Sequence, residues 1–193
     1  YFRRWHRLVE CSGSLWVHKA SHHFDLLNWW IDSDPESVYA LGSLDHYGKN
    51  GTFRAENCRT CPHTSKCKFY YDITRNQNYM DLYVANEKYD GYLRDGCVFK
   101  NDVNIFDKMA ATIRYKNGVQ VAYSLTTYSP YEGYRIAFNG TKGRLEAWIQ
   151  ESRPTSDVNF DELVLFKNFG KREYIQIPFG TSGHGGGDAL LKD

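Results

Sequence analysis

The chain has 193 residues, with 24 Lys or Arg against 23 Asp or Glu and a formal net charge of +1. That length suits one domain with a sizeable core, and the near-balance of charge excludes a broad electrostatic attraction to nucleic acid or to an anionic membrane. No stretch approaches the roughly 18 apolar residues of a bilayer span, and none reads as a signal peptide.

Aromatic residues make up 16 %, led by 15 Tyr, which suits a half-buried sheet and a pocket whose walls offer both flat faces and hydroxyls to a sugar or polyol. The expected compartment is the cytoplasm, with the periplasm left open. The chain opens inside an aromatic and basic run, and it ends at GGGDALLKD, where Asp188 reads as an N-cap whose helix has barely begun. The expectation is a piece of a longer protein.

The first stretch, YFRRWHR, places Arg3, Arg4, His6 and Arg7 among aromatics. It reads as an amphipathic strand, and an arginine such as Arg4 over an aromatic ring can bind a sugar acid or a phosphate. From Lys19 the apolar positions Ala20, Phe24, Leu27 and Ile31 recur at helical spacing until the DSDP stretch. On the opposite stripe of that helix fall His18, His22, Asp25 and Trp29.

After Pro35, SVYALGSLDHYG reads as a strand, the cysteine segment follows, and the stretch from Phe69 to Tyr92 takes no assignment. MAATIRY and VQVAYSLTTY alternate around Asn117-Gly118, a hairpin signal predicting a type I′ turn. YRIAFNGTKGRLEAWI and ELVLFKNFGKREYIQIPF repeat the pattern. Strands this close in sequence pair antiparallel. A helical first half and a strand-rich second half predict an α+β fold, a large, mostly antiparallel open sheet with helices packed on one face, read as a single domain over residues 1–193.

CRTCPHTSKC gives Cys58, Cys61 and Cys67, with Cys97 later and Cys11 apart. A CxxC turn lets two thiolates face one tetrahedral ion, and Cys67 with Cys97 would complete a four-cysteine zinc site, His63 being a substitute ligand. A disulfide and an iron-sulfur cluster stand beside zinc as alternatives. Four thiolates would leave no open coordination position, so such a zinc would be structural.

HKASH spaces His18 and His22 as in a zinc-protease helix, but Lys19 stands where such enzymes carry a glutamate base. Proton transfer suits these histidines better, since imidazole titrates near neutral pH. The plain alternative is a polar, solvated first turn. GTSGHGGGD, with His184, reads as a glycine-rich turn before a helix; it lacks the lysine of a P-loop.

Taken in order, RRWHR, SGSLWVHKASHHFDLLNWW, the CxxCx5C segment, the NGV hairpin, FNGTKGRLE and GHGGGD resemble the Gfo/Idh/MocA oxidoreductases. The resemblance implies the C-terminal substrate and oligomerisation domain of a two-domain enzyme, without the dinucleotide-binding domain that would hold NAD or NADP. It implies that His22, three residues before Asp25, assists proton transfer at a substrate hydroxyl. The family's usual aspartate falls at position 18, where this chain has His18. The sequence leaves open whether His18 relays a proton with His22 or Lys19 supplies a tuning charge.

The implied activity is an NAD(P)-dependent oxidation of a sugar or polyol hydroxyl, with catalytic candidates His22, Lys19 and His18, and Asp25, Arg4 and His184 lining the substrate. Two alternatives are an NAD-dependent glycosidase and a non-catalytic zinc-stapled dimerisation module. Expected partners are a small sugar or polyol and a second copy of the chain across the sheet face, with no nucleic acid and no membrane.

Overall fold

A computed structural model describes residues 1–150 and 160–178. The chain divides into two compact units, Tyr1–Tyr128 and Ser129–Asp193. The fold class is α+β: among the described residues short helices gather in the first unit, and every strand pairing is antiparallel.

The first unit begins with a 3-10 turn, Trp5–Arg7, so YFRRWHR is not the strand its alternation suggested. Helices α1 (Val9–Ser12), α2 (Ser14–His18) and α3 (Ala20–Ile31) follow. Strands β1 (Pro35–Ser43), β2 (Lys108–Tyr115) and β3 (Gln120–Thr126) form a sheet in that order. In β2 the alternation is clean: Met109, Ala111, Ile113 and Tyr115 are buried and their neighbours exposed. Trp16, Phe24 and Ile31 of the helices pack on that face, and α3 buries Ala20 and Leu27 as its spacing requires. Burying a side chain such as Ile113 contributes about 1.5–3 kcal/mol.

The β2–β3 hairpin forms at Asn117-Gly118, but through a different turn. Gly118 has φ 89, whereas Asn117 is not in the positive-φ region that type I′ demands. Gly118 N–H donates to Tyr115 O at 2.9 Å and Tyr115 N–H to Val119 O at 2.9 Å, the pattern of a three-residue loop closed by a glycine bulge. Tertiary contacts select this form. Lys116 N–H donates to Asp34 O, and the Asn117 amide donates to Ile31 O, so the turn is tied to the end of α3.

Between β1 and β2 lies a long excursion. It carries 3-10 turns Gly48–Asn50, Ile73–Arg75 and Val84–Asn86 and two short helices, α4 (Gln77–Leu82) and α5 (Glu87–Asp90). Buried carboxylates organise it. Asp107 accepts from the backbone N–H groups of Asp45, His46 and Tyr47 at 2.9, 2.7 and 2.9 Å, and Asp95 takes the Arg59 guanidinium on both oxygens. Around them Phe2, Leu15, Tyr47, Val98, Phe99 and Ile105 form an apolar cluster.

The second unit is a meander of β4 (Gly133–Gly140), β5 (Gly143–Gln150), β6 (Phe160–Lys167) and β7 (Arg172–Pro178), paired in sequence order. The described strands form a three-stranded sheet in the first unit and a four-stranded sheet in the second. Among the described residues no helix is long and apolar enough to cross a membrane.

Candidate functional site

The segment SGS turns the chain between α1 and α2. Gly13 is left-handed at φ 65 and Ser14 follows at φ 76, a conformation that a non-glycine residue adopts only where it is held. The Ser12 hydroxyl does the holding: it donates towards His6 O at 3.0 Å and Leu8 O at 3.1 Å, and accepts the Ser14 N–H at 3.1 Å. The opening turn and α2 are thereby fastened together.

At Lys19 the helix breaks, φ −113 and ψ −48, before α3 starts. His18 therefore ends α2 while His22 lies in the first turn of α3, so the pair is not the continuous i, i+4 helical couple the sequence suggested. Of the expected stripe, His22, Asp25 and Trp29 are exposed on α3. His18 instead turns inward to meet His6, with the two Nε2 atoms 2.9 Å apart.

His6 is 6 % exposed. Its ring stacks on Trp5 with centroids 3.7 Å apart, meets His18 at 90° and takes the edge of Tyr1. Burial lowers the His6 pKa to about 4, and Arg4, His18 and Arg94 reinforce the shift. Among the described residues, the Nδ1 atoms of both His6 and His18 are buried without a hydrogen-bond partner.

The second histidine of the HHFD stretch has a different neighbour. His23 Nδ1 lies 2.8 Å from the Tyr123 hydroxyl on β3, and burial pushes the Tyr123 pKa up to about 12. Arg4 sits over the Tyr1 ring, its guanidinium carbon 5.4 Å from the centroid, and Lys19 is half-buried at the helix break. The structure thus gathers Arg4 and His18 with His6, and leaves His22 and Asp25 on the open side of α3. His184 lies outside the described residues.

Sequence reading placed His6 in an amphipathic strand and gave it no role in the site. Its pairing with His18 is a contact across 12 positions that no periodicity announces. The one available signal was the local density of histidine and arginine in RRWHR.

Cys58, Cys61, Cys67 and Cys97 come together around one small cavity, with Arg3, Asn57 and Phe69 also in its wall. All four are free thiols, so the disulfide alternative is not the form seen. Arg3 Nη1 donates to Cys58 Sγ at 3.1 Å, His63 N–H to Cys61 Sγ and Phe99 N–H to Cys97 Sγ, both at 3.4 Å. The His63 ring lies tilted against Phe53. As the side chains stand, no three His, Cys, Asp or Glu residues among those described are grouped to hold a metal ion.

The sequence profile described as "Oxidoreductase family, C-terminal alpha/beta domain" matches residues 1–162. The chain belongs to the Gfo/Idh/MocA oxidoreductase family. Within it, the chain is 35 % identical over 208 residues to a protein of Bacillus subtilis (strain 168) named "Putative oxidoreductase YteT". That match covers 99 % of the chain and 48 % of the relative, so the chain spans about half the length of that curated relative. The α+β architecture with antiparallel sheets is the one expected of the family's C-terminal domain.

Proposed function

We propose that this chain is the substrate-side domain of an NAD(P)-dependent oxidoreductase acting on a sugar or polyol hydroxyl, with His22 accepting the hydroxyl proton. The observation that carries the reading is the arrangement of α3 in a member of this family. Its apolar side is spent on the sheet, His23 is turned to Tyr123, and His22 and Asp25 remain on the exposed side. An exposed imidazole can meet a substrate hydroxyl, and one turn of helix brings a carboxylate onto the same side to orient it. Lys19, whose carbonyl accepts the His22 N–H, would supply positive charge near by, which favours release of a proton from the alcohol.

The dinucleotide is proposed to be held mainly by a separate nucleotide-binding domain. The sheets of the described residues are antiparallel throughout, and none contains the strand, glycine-rich turn and helix of a βαβ unit that cradles a pyrophosphate. The roles proposed for this chain are binding the alcohol and taking its proton.

Calorimetric titration of the full-length protein with NAD and NADP tests the reading; binding of neither overturns it. Product analysis then separates two activities within it. Net NADH or NADPH with an oxidised sugar marks the dehydrogenase, and free sugar without net reduced cofactor marks the glycosidase.

For the cysteine cavity the proposal is a closed structural zinc site. Four thiols around one cavity support it, as do N–H groups directed at three of the sulfurs, which stabilise thiolates. A bound ion would have to draw the side chains inward from where they stand. Purified protein without zinc by mass spectrometry contradicts it. A homo-oligomer through a sheet is proposed as well. The edge strand β1 exposes Val38, Tyr39 and Leu41, and β7 exposes Tyr174, Ile175 and Ile177, apolar edges of a kind that usually find cover.

A further inference from the structure

The guanidinium of Arg3 reaches from the start of the chain into the wall of the cysteine cavity. Nη1 donates to Cys58 Sγ and to Gly96 O, both at 3.1 Å, and Nη2 donates to Phe69 O. The guanidinium carbon lies 5.7 Å from the centroid of the Tyr71 ring. Among the described residues these bonds go to one sulfur and two backbone carbonyls, and to no carboxylate. The backbone closes in as well: a Cβ on Gly96 would stand 2.5 Å from Arg3 O, so the residue before Cys97 must be small for the chain to pass. One side chain thereby ties residue 3 to partners 55, 66 and 93 positions away.

Four thiolates around one divalent zinc carry about two negative charges in excess. Cys58 and Cys97 are only 7 % and 9 % exposed, so water does little to spread that charge, and a cation beside the sulfurs offsets part of it. We propose that Arg3 is the outer-sphere counter-ion of a zinc held by Cys58, Cys61, Cys67 and Cys97, and that through it metal occupancy fixes the seat of the opening turn. The inference rests on the zinc reading given above. The two carbonyls grip the guanidinium independently of the sulfur, so it keeps its place in the wall while the thiols close on an ion. The link is reciprocal: the factor that a seated Arg3 adds to zinc affinity is the factor that bound zinc adds to the seating of Arg3. The turn so fastened, Trp5–Arg7, is the one that brings His6 to His18.

The test takes the full-length protein, with zinc ion alone as the probe and a chromophoric chelator in competition. Arg3→Met keeps a long side chain and removes its charge; Arg3→Lys keeps the charge and loses the fork. Zinc affinity should fall by about 10–100-fold in Arg3→Met, the usual cost of losing an outer-shell partner, and recover in part in Arg3→Lys. Equal affinity in Arg3→Met overturns the proposal. So does an Arg3→Lys that binds no tighter than Arg3→Met, which would make the loss one of packing and not of charge.

A second measurement needs no variant. Stripping zinc from the wild type should speed hydrogen exchange at the Arg7 and Leu8 amides, which donate to Arg4 O and Trp5 O within the opening turn. The expected rise is about the same 10–100-fold, with the amides of β2 and β3 unchanged. Exchange that stays constant in the opening turn, or that rises throughout the sheet, overturns the link. Failure of the zinc reading itself looks different: the full-length wild type then neither carries zinc nor takes it up when added, and the role of Arg3 falls with it.

Discussion

The three-stranded sheet with α3 and the excursion between β1 and β2 reach order by different routes. In the sheet, alternate residues of β2 are buried against one face of a helix, and area removed from water does most of the stabilising. In the excursion, regular elements are short, and the chain is pinned where buried carboxylates collect backbone and guanidinium donors, at Asp107 and Asp95. The sheet resists small losses because many contacts share the load. The excursion hangs on a few polar anchors, each of which leaves several groups unpaired when it goes.

The contrast is broken most sharply at Asp107. Replacing it by alanine strands the N–H groups of Asp45, His46 and Tyr47, and about 4 kcal/mol of stability should be lost. Urea unfolding followed by tryptophan fluorescence measures this, and a loss under about 1 kcal/mol would show that the carboxylate is not an anchor.

In the sheet, Ile113→Ala empties a position only 5 % exposed. The same measurement should give about 2–4 kcal/mol. A neutral result would mean that the β2 face is not the core.

His6 adds a pH dependence of smaller size. Its pKa is about 4 when folded and 6.5 in its ordinary state. Between those values the unfolded chain takes up a proton that the folded one refuses, so this share of stability is fully present above pH 6.5 and is lost as pH falls towards 4. The groups facing His6 are His18, Arg4, Arg94 and Tyr1. His6→Gln should flatten the stability curve in that window when midpoints are compared at several pH values.

At the far end of the scale, the Lys116–Asp34 pair beside the hairpin is 65 % and 76 % exposed at its side chains. Lys116→Ala should change stability by less than about 0.5 kcal/mol. A larger loss would mean that the turn's attachment to α3 depends on this ion pair and not on its backbone bonds.

What could be read from the sequence follows the same division. Period two in MAATIRY and VQVAYSLTTY fixed β2 and β3, and the spacing of Ala20, Phe24, Leu27 and Ile31 fixed the buried side of α3, because burial leaves a repeating mark. The turn type at Asn117-Gly118 did not follow, since bonds from Lys116 and Asn117 to the carbonyls of Asp34 and Ile31 chose a looser loop than local preference favours. In the excursion, Asp95 and Asp107 look like any other acidic residues until the chain has folded around them.

The candidate site divides likewise. His22 and Asp25 were legible as a polar helical stripe, whereas His18 left that stripe at the Lys19 break and found His6, a partner no local pattern names. The cysteine spacing did foretell a gathering, because CxxC is a local geometry and the pinned loops bring Cys97 to it. It did not foretell how the thiols would be oriented.

The central claim is that α3 presents the proton acceptor of a sugar or polyol oxidoreductase. Its most direct test is the steady-state rate of NADH or NADPH formation by the full-length protein, wild type against His22→Asn, across a panel of sugars and polyols. The account predicts that kcat falls by about a hundredfold or more while cofactor affinity and folding are retained; a variant as fast as the wild type would contradict it.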